Sequence, residues 1–398
     1  MNPLSPPKMA SARTDTLTFL NHPIFLCGAP RSGTTLLANL LDAHPALFVL
    51  PMETHILQQF QATPPLDRDR FFRNDFLKTH DILSYIDPPY RNRFDSYLKD
   101  RYRTILSPQL PSVDGKFFKE TYLSRFPSGE EISLRDVYQA FVFVLAQAAP
   151  GNGKTRQIYF VDKRPLDNEL CALRLKEDFP NAKFIHMLRD PRTRYASAKQ
   201  RRIQQRLGAR YCRRLNGVDF ASGHSEISLA SFLLAEENQK RLGPDYLLVR
   251  YEELTADPEA VMRSAARFLS IEWDPILLRP TRLENTASTF SSFADLRGGE
   301  IQNRHSERLA QFRELTSRLE RGLLSLHVRR AASRFGYAME EPDPAWAELA
   351  QPLRHEFPPE FLPDRQSIAE RLCHRNEIEE FVMNRLRKRW EIGIPTQD

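Results

Sequence analysis

The sequence predicts an α/β protein built on a parallel sheet with helices on both faces. Short apolar runs recur along the chain, at 23–27, 47–50, 158–161, 184–188 and 247–249, and read as buried strands. Helical periodicity or a helix-start signal follows each of them, so strands alternate with helices rather than with hairpin turns. The glycine-bearing and cationic segments fall just past the C-terminal ends of those strands, where sheets of this kind bind their ligands.

Taken in order, residues 1–21 carry Pro, Ser, Lys and Arg without a continuous apolar stretch and read as a flexible leader rather than a signal peptide. The first strand, Pro23–Cys27, runs through Gly28-Ala29-Pro30-Arg31-Ser32-Gly33-Thr34-Thr35 into a helix at Leu36–Leu41. A second strand at Leu47–Leu50 leads to a helix from about Glu53, and residues 64–132 form a polar, aromatic, proline-containing insertion. Ser133 and Asp136 resemble a capping box for a helix through Val137, Phe141, Val144 and Leu145, which Pro150-Gly151-Asn152-Gly153 ends. The strand at 158–163, a helix at 167–178 and the strand at 184–188 follow, and Asp190-Pro191 opens another helix. After the strand at 247–249, Asp257 as N-cap and Pro258 at the first helical position start one more. The pattern weakens after 270, is proline-rich beyond 340 and ends in a helix through Ile378, Phe381, Val382, Leu386 and Trp390. The expected organisation is a leader at 1–21, a core at 22–275 interrupted at 64–132, and a helical extension at 276–398.

Composition narrows the function classes. An apolar fraction of 41% in 398 residues supports a sizeable core, and a net charge of +6 is far from that of a nucleic-acid-binding chain. Between Arg189 and Arg214 there are ten Lys or Arg and one acid, Asp190. Such a cationic helix favours a polyanionic nucleotide or acidic acceptor over nucleic acid, since interleaved aromatics and known modules are missing from the sequence. The four cysteines, Cys27, Cys171, Cys212 and Cys373, show no metal spacing. No run of about twenty apolar residues occurs, so a transmembrane segment is not expected. The basic stretch Arg385–Arg389 on the last helix offers only weak contact with an anionic membrane surface.

The first loop carries the most chemistry. Strand, glycine-bounded turn and helix together aim backbone N–H groups and a helix N-terminus at a phosphate. The spacing Gly28-x4-Gly33-Thr34-Thr35 departs from the nucleotide-hydrolase loop where Thr34 replaces the lysine that reaches a β/γ-phosphate. The cation sits inside the loop, at Arg31, which points away from ordinary ATP chemistry. Pro-Arg-Ser-Gly-Thr-Thr resembles the 5′-phosphosulfate loop of sulfotransferases that use 3′-phosphoadenosine 5′-phosphosulfate (PAPS), nearest to the tyrosylprotein and carbohydrate branch.

A second element, Lys183-Phe184-Ile185-His186-Met187-Leu188-Arg189-Asp190-Pro191-Arg192 followed by Ala196-Ser197, resembles the family's 3′-phosphate element. The resemblance covers about residues 22–275 and implies a P-loop nucleotide-kinase-like sheet. It also implies Arg189 and Ser197 on the 3′-phosphate, and Arg31, Ser32, Gly33, Thr34 and Thr35 on the 5′-phosphate through the backbone N–H groups of 32–35 and the threonine hydroxyls. Tyr251 would lie against the nucleotide, a packing tyrosine being the equal alternative, and Arg297, in a loose Arg-Gly match that reads equally as a surface turn, against the 3′-phosphate. Lys163 and Arg31 would supply charge stabilisation and Glu53 the catalytic base, with His55 and, more weakly, His186 as rival bases and a helix-capping role as the other reading of Glu53. The implied reaction is metal-free sulfuryl transfer to a hydroxyl or amine of a small-molecule or glycan acceptor, the insertion serving as an acceptor-site lid. A cytoplasmic location is expected because the sequence shows no Golgi-type anchor. A P-loop small-molecule kinase and a non-catalytic nucleotide-binding protein remain the alternative readings.

Overall fold

The computed structural model describes residues 14–50, 53–54, 56–57, 71–72, 124–125, 131–148, 157–204, 217–282, 285–286, 301, 303–341, 379, 382 and 384. Five parallel strands form the central sheet: β1 (Pro23–Cys27), β2 (Leu47–Val49), β5 (Tyr159–Lys163), β6 (Lys183–Leu188) and β7 (Tyr246–Arg250), in the order β2-β5-β1-β6-β7. β1 therefore lies in the middle, with Leu26 opposite Lys163 on one side and Ile185 on the other. A two-residue strand in the insertion, β3 (Phe71–Phe72), pairs antiparallel with β4 (Glu131–Ile132). A second short pair, β8 (Thr281–Arg282) and β9 (Asn285–Thr286), follows the sheet.

Strand alternation divides the core into two faces. Ile24 and Leu26 of β1, with Val161 and Ile185, pack against Leu37, Leu40 and Leu41 of α1 (Thr34–Leu41). Leu254 of α7 (Tyr251–Ala256) and Met262, Ala266 and Leu269 of α8 (Pro258–Leu269) close that face. Phe25, Phe160 and Phe184 point the other way, toward Val137, Tyr138, Phe141 and Val144 of α2 (Leu134–Ala148). The Phe25 ring lies 5.5 Å from that of Phe184 and 6.0 Å from that of Tyr138. Burying such a side chain is worth roughly 1.5–3 kcal/mol. Asp136 caps α2 as expected, accepting from the Ser133 N–H at 2.8 Å while the Asp136 N–H donates to Ser133 Oγ at 3.2 Å.

Two expectations change. The leader is packed, not loose, over its last residues: Thr14–Asn21 is a 3-10 turn that buries Phe19 and Leu20. The Phe19 ring meets Phe48, and Asn21 Oδ1 accepts from Arg135 and Gln139. The single helix expected at 167–178 is two, α3 (Asp167–Leu170) and α4 (Ala172–Asp178), broken where Cys171 leaves helical geometry at φ −95°, ψ 10°. The break lets Asp167, Asn168 and Glu169 face the strand ends while Ala172, Leu175 and Phe179 stay under the sheet. Beyond residue 270, where the sequence pattern is weak and an extension of helices is expected without bounds for these two, lie α9 (His305–Leu315) and α10 (Arg318–Ser333). These pack with α6 (Gly217–Leu242) and α5 (Pro191–Gln204) into a third cluster containing Leu188, Tyr195, Leu229, Phe312, Leu323 and Val328. Among the described residues no helix is long and apolar enough to cross a membrane.

Candidate active site

The C-terminal ends of β1, β5, β6 and β7 place the expected residues side by side. After β1 the loop turns sharply because three residues take positive φ: Gly28 at 130°, Arg31 at 76° and Gly33 at 105°. Glycine adopts this freely, whereas at Arg31 it is uncommon and strained. At Gly28 a Cβ would come within 2.6 Å of the Met187 carbonyl oxygen, and at Gly33 it would run into the Tyr251 ring. Gly33 caps α1, whose first residues are Thr34 and Thr35, so the unpaired N–H groups of that helix start face the loop. One detail departs from expectation. The Ser32 N–H donates to the Ala29 carbonyl at 3.0 Å, closing a turn, which leaves the backbone of 33–35 as the anion-facing part. The Ser32 hydroxyl is buried and has no hydrogen-bond partner.

Cations converge on this loop. Arg31 Nε and Nη2 each donate to Ser197 Oγ at 3.2 Å. Arg189 Nη1 donates to the Arg31 carbonyl at 2.8 Å, its Nε to Thr193 Oγ1 at 3.1 Å, and its guanidinium lies 4.2 Å over the Tyr251 ring. Burial and then the Arg189 charge pull the Arg31 guanidinium down to about 10. Two neighbouring guanidiniums, partly desolvated, are costly unless an anion joins them. Beneath the loop Arg194, fully buried, donates to the Pro30 carbonyl at 3.1 Å and to Ser228 Oγ at 2.8 Å.

At the end of β5, Lys163 Nζ donates to Glu53 Oε1 at 2.6 Å and to Thr35 Oγ1 at 3.1 Å. Arg164 Nη1 reaches the other Glu53 oxygen at 3.3 Å. Glu53 remains a third exposed, whereas Lys163 is mostly covered, so the carboxylate faces outward from a cationic floor. Asp162, one residue before Lys163, is turned inward. Its carboxylate accepts from Thr54 Oγ1 at 3.1 Å and from the Tyr138 hydroxyl at 3.4 Å, and burial raises it to about 6. His186 is equally interior, between the Tyr246 hydroxyl at 2.6 Å and Ser231 Oγ at 2.9 Å, with burial lowering it to about 3. His55, Arg297 and the basic stretch 385–389 lie outside the described residues.

Several site residues carried no sequence signal. Arg194 is one arginine among many in a basic helix, and only the fold shows it under the loop. A recess beside Arg189 and Tyr251 is walled by Glu252 and Thr255 and by Arg304, His305 and Arg308, the last three at the start of α9. His305 lies 3.7 Å from Asp190 and 3.9 Å from Glu252. The charge cluster in Arg304-His305-Ser306-Glu307-Arg308 was the available hint.

The model of a sulfotransferase family matches residues 23–275; this chain belongs to the sulfotransferase family. It is 26% identical over 263 residues to protein-tyrosine sulfotransferase A of Caenorhabditis elegans, covering 65% of this chain and 53% of that protein. It is 27% identical over 270 residues to omega-hydroxy-beta-dihydromenaquinone-9 sulfotransferase Stf3 of Mycobacterium tuberculosis, covering 63% of each. The chain thus spans about half the length of the tyrosine sulfotransferases it matches. Among solved structures, the sulfotransferase domain of the Synechococcus PCC 7002 olefin synthase aligns with 79% of this chain and 94% of its own, at 20% identity and a TM-score of 0.43.

Proposed function

We propose that this protein transfers a sulfuryl group from PAPS to a hydroxyl or amine of an organic or glycan acceptor, without a metal ion. The observation that carries the reading is the contact of Glu53 and Thr35 with one lysine, Lys163, beside the glycine-bounded anion loop. The donor supplies an activated sulfuryl group on a phosphate leaving group, so catalysis is mainly positioning and charge stabilisation.

The donor fits the residues present. The N–H groups of 33–35, with the Thr34 and Thr35 hydroxyls, hold the 5′-phosphate. The Ser32 hydroxyl, buried without a partner, has a donor and lone pairs to offer. Arg189 and Ser197 hold the 3′-phosphate, Ser197 keeping its own hydroxyl proton for an oxygen while it accepts from Arg31. Tyr251, next to Gly33 and with the Arg189 guanidinium over its ring, lies against the nucleotide. Glu53 takes the acceptor proton as the new sulfur–oxygen bond forms. Lys163 and Arg31 stabilise the electron pair that the breaking sulfur–oxygen bond leaves on the 5′-phosphate. Lys163 bridges the two halves of the site: an arriving phosphosulfate offers it a second anion, and Glu53 then loses part of its ion pair as it becomes the base.

The kinase alternative needs a strand-end carboxylate for Mg²⁺. The candidate, Asp162, is fully buried and committed to Thr54 and Tyr138, and Thr34 stands where the triphosphate lysine would be. The test is thermal denaturation with nucleotide. Adenosine 3′,5′-bisphosphate should raise the melting temperature, because a ligand that binds only the folded state stabilises it by mass action, and ATP with Mg²⁺ should raise it far less. The reverse ranking revives the kinase. Incubation with labelled PAPS and a metabolite extract, read by mass spectrometry, then identifies the acceptor.

A further inference from the structure

Helix α3 has only four residues, and its first three side chains are all spent on strand ends. Asp167 accepts from Arg164 Nε at 2.5 Å. Asn168 Nδ2 donates to the Leu26 carbonyl at 3.2 Å and the Asp162 carbonyl at 3.3 Å, joining β1 to β5 beyond their ladder. Glu169 Oε2 accepts from two backbone N–H groups at 2.9 Å each, those of Gly28 and Leu166, and the Leu166 N–H is also shared with the Gly28 carbonyl at 3.1 Å. Both donors belong to residues at positive φ, Gly28 at 130° and Leu166 at 74°. Leucine has a Cβ that resists this conformation, so something must hold the turn there. Glu169 is fully buried, and its carbonyl is tied to Asn238 Nδ2 of α6 at 2.6 Å, which leaves the side chain little freedom.

We propose that Glu169 is a positioning residue for the donor: its carboxylate clasps the anion loop after β1 to the turn after β5 and so sets Arg31 against Lys163. Gly28 lies three residues before Arg31, and Leu166 three residues after Lys163. The clasp therefore fixes the separation of the two cations proposed to flank the transferred group. The inference rests on the sulfuryl-transfer reading given above.

The clasp has two strengths. Ionised, Glu169 makes charge-assisted bonds, stronger than those of a neutral acid. Burial raises it to about 7, and the titratable groups facing it are Asp167 and Cys171 from its own segment, Cys27 of β1 and Tyr246 of β7. Its second oxygen, Oε1, has no partner, so a proton can sit there while Oε2 goes on accepting. Glu169→Gln keeps the shape and holds the clasp in its weaker, neutral form at every pH.

The experiment measures bisphosphate affinity of wild type and Glu169→Gln between about pH 6 and 8. Comparing the two proteins at each pH cancels the ligand's own titration. The variant is expected to bind about tenfold more weakly at the upper end and within about twofold at the lower. Its KM for the donor should rise while its KM for the acceptor stays unchanged. Equal affinities throughout, or a gap that does not change with pH, overturn the proposal, the latter because a purely structural role is blind to the proton. Glu169→Gln combined with Leu166→Gly, which removes the Cβ opposing the turn, should recover part of the lost affinity, and no recovery also overturns it. If the single variant does not fold, the double variant is compared with wild type in the same way. Failure of wild type itself to bind the bisphosphate is a separate result and sinks the sulfuryl-transfer reading instead.

Discussion

Neighbouring strands β1 and β6 end in loops that touch, and the two hold their shape by opposite means. The β1 loop is shaped by its backbone. Three of its six residues from Gly28 to Gly33 take positive φ, and its braces come from elsewhere: Glu169 on Gly28, Arg194 on Pro30, Arg189 on Arg31. The β6 loop is shaped mainly by its own side chains, with an outside brace, the Asp190 N–H on Glu252 at 3.0 Å. Arg192 grips Asp190 with Nε at 3.0 Å and Nη2 at 2.7 Å, Arg189 bonds Thr193, and none of its residues has positive φ. The difference follows from what each presents. A loop that offers backbone N–H groups to an anion must turn them all one way, which requires left-handed residues and outside support. A loop that offers a guanidinium need only aim one side chain.

That contrast can be broken or sharpened by substitution. The largest effect is expected at the Glu53–Lys163 pair, which reaches the helix start after the β1 loop through Thr35. Glu53→Gln should lower kcat by roughly 10²–10⁴ and leave bisphosphate binding nearly intact; steady-state kinetics with turnover within a few-fold of wild type would remove Glu53 from the reaction. The β6 loop should be sensitive to charge. Arg189→Ala should weaken bisphosphate binding about ten- to a hundredfold, since a charge-assisted bond is worth roughly 1.5–3 kcal/mol. Calorimetric titration with unchanged affinity would place the 3′-phosphate elsewhere.

The β1 loop should instead be sensitive to bulk. Gly33→Ala adds one methyl group and no charge, yet it meets the Tyr251 ring at a φ of 105°. It should cost about 1–3 kcal/mol of stability, read from chemical denaturation, together with part of the bisphosphate affinity. A neutral Gly33→Ala would mean that Tyr251 can withdraw and that the backbone account of this loop is wrong. The smallest expected effect is none: activity should survive EDTA, and loss that Mg²⁺ or Zn²⁺ restores would overturn the metal-free mechanism.

What was legible in the sequence was local. An apolar run, two glycines five apart and a helix start lie within fifteen residues of one another, and their backbone consequences do not depend on distant partners. Arg189 and Ser197 are equally local, eight residues apart across a helix start, and the structure brings both to Arg31. Glu169 looked like any acid in a helix because its partner Gly28 is 141 residues away. Helices α9 and α10 were illegible for another reason. Their buried faces include Arg308, Glu320, Ser325 and His327, so the apolar stripe that marks a packed helix is thin, and tertiary bonds replace it. Glu320 alone accepts from the Tyr195 hydroxyl and from Lys199, both at 2.6 Å, and closes a capping box with Ser317.

The third apolar cluster changes what counts as a foldable fragment. It draws Leu188, Tyr195, Leu229 and Leu233 from the family-matched segment 23–275, and Phe312, Leu323, Leu324 and Val328 from beyond it. Cutting the chain at 275 would strip the cover from one side of α6 and α5 while leaving Glu320's two donors, Tyr195 and Lys199, unanswered next to the Ser197 end of the site. Such a truncate would present a broad greasy surface and come out of expression as aggregate. The boundary of sequence kinship and the boundary of the packed core therefore fall in different places, the latter reaching Met339 and Val382, whose side chains still belong to that cluster.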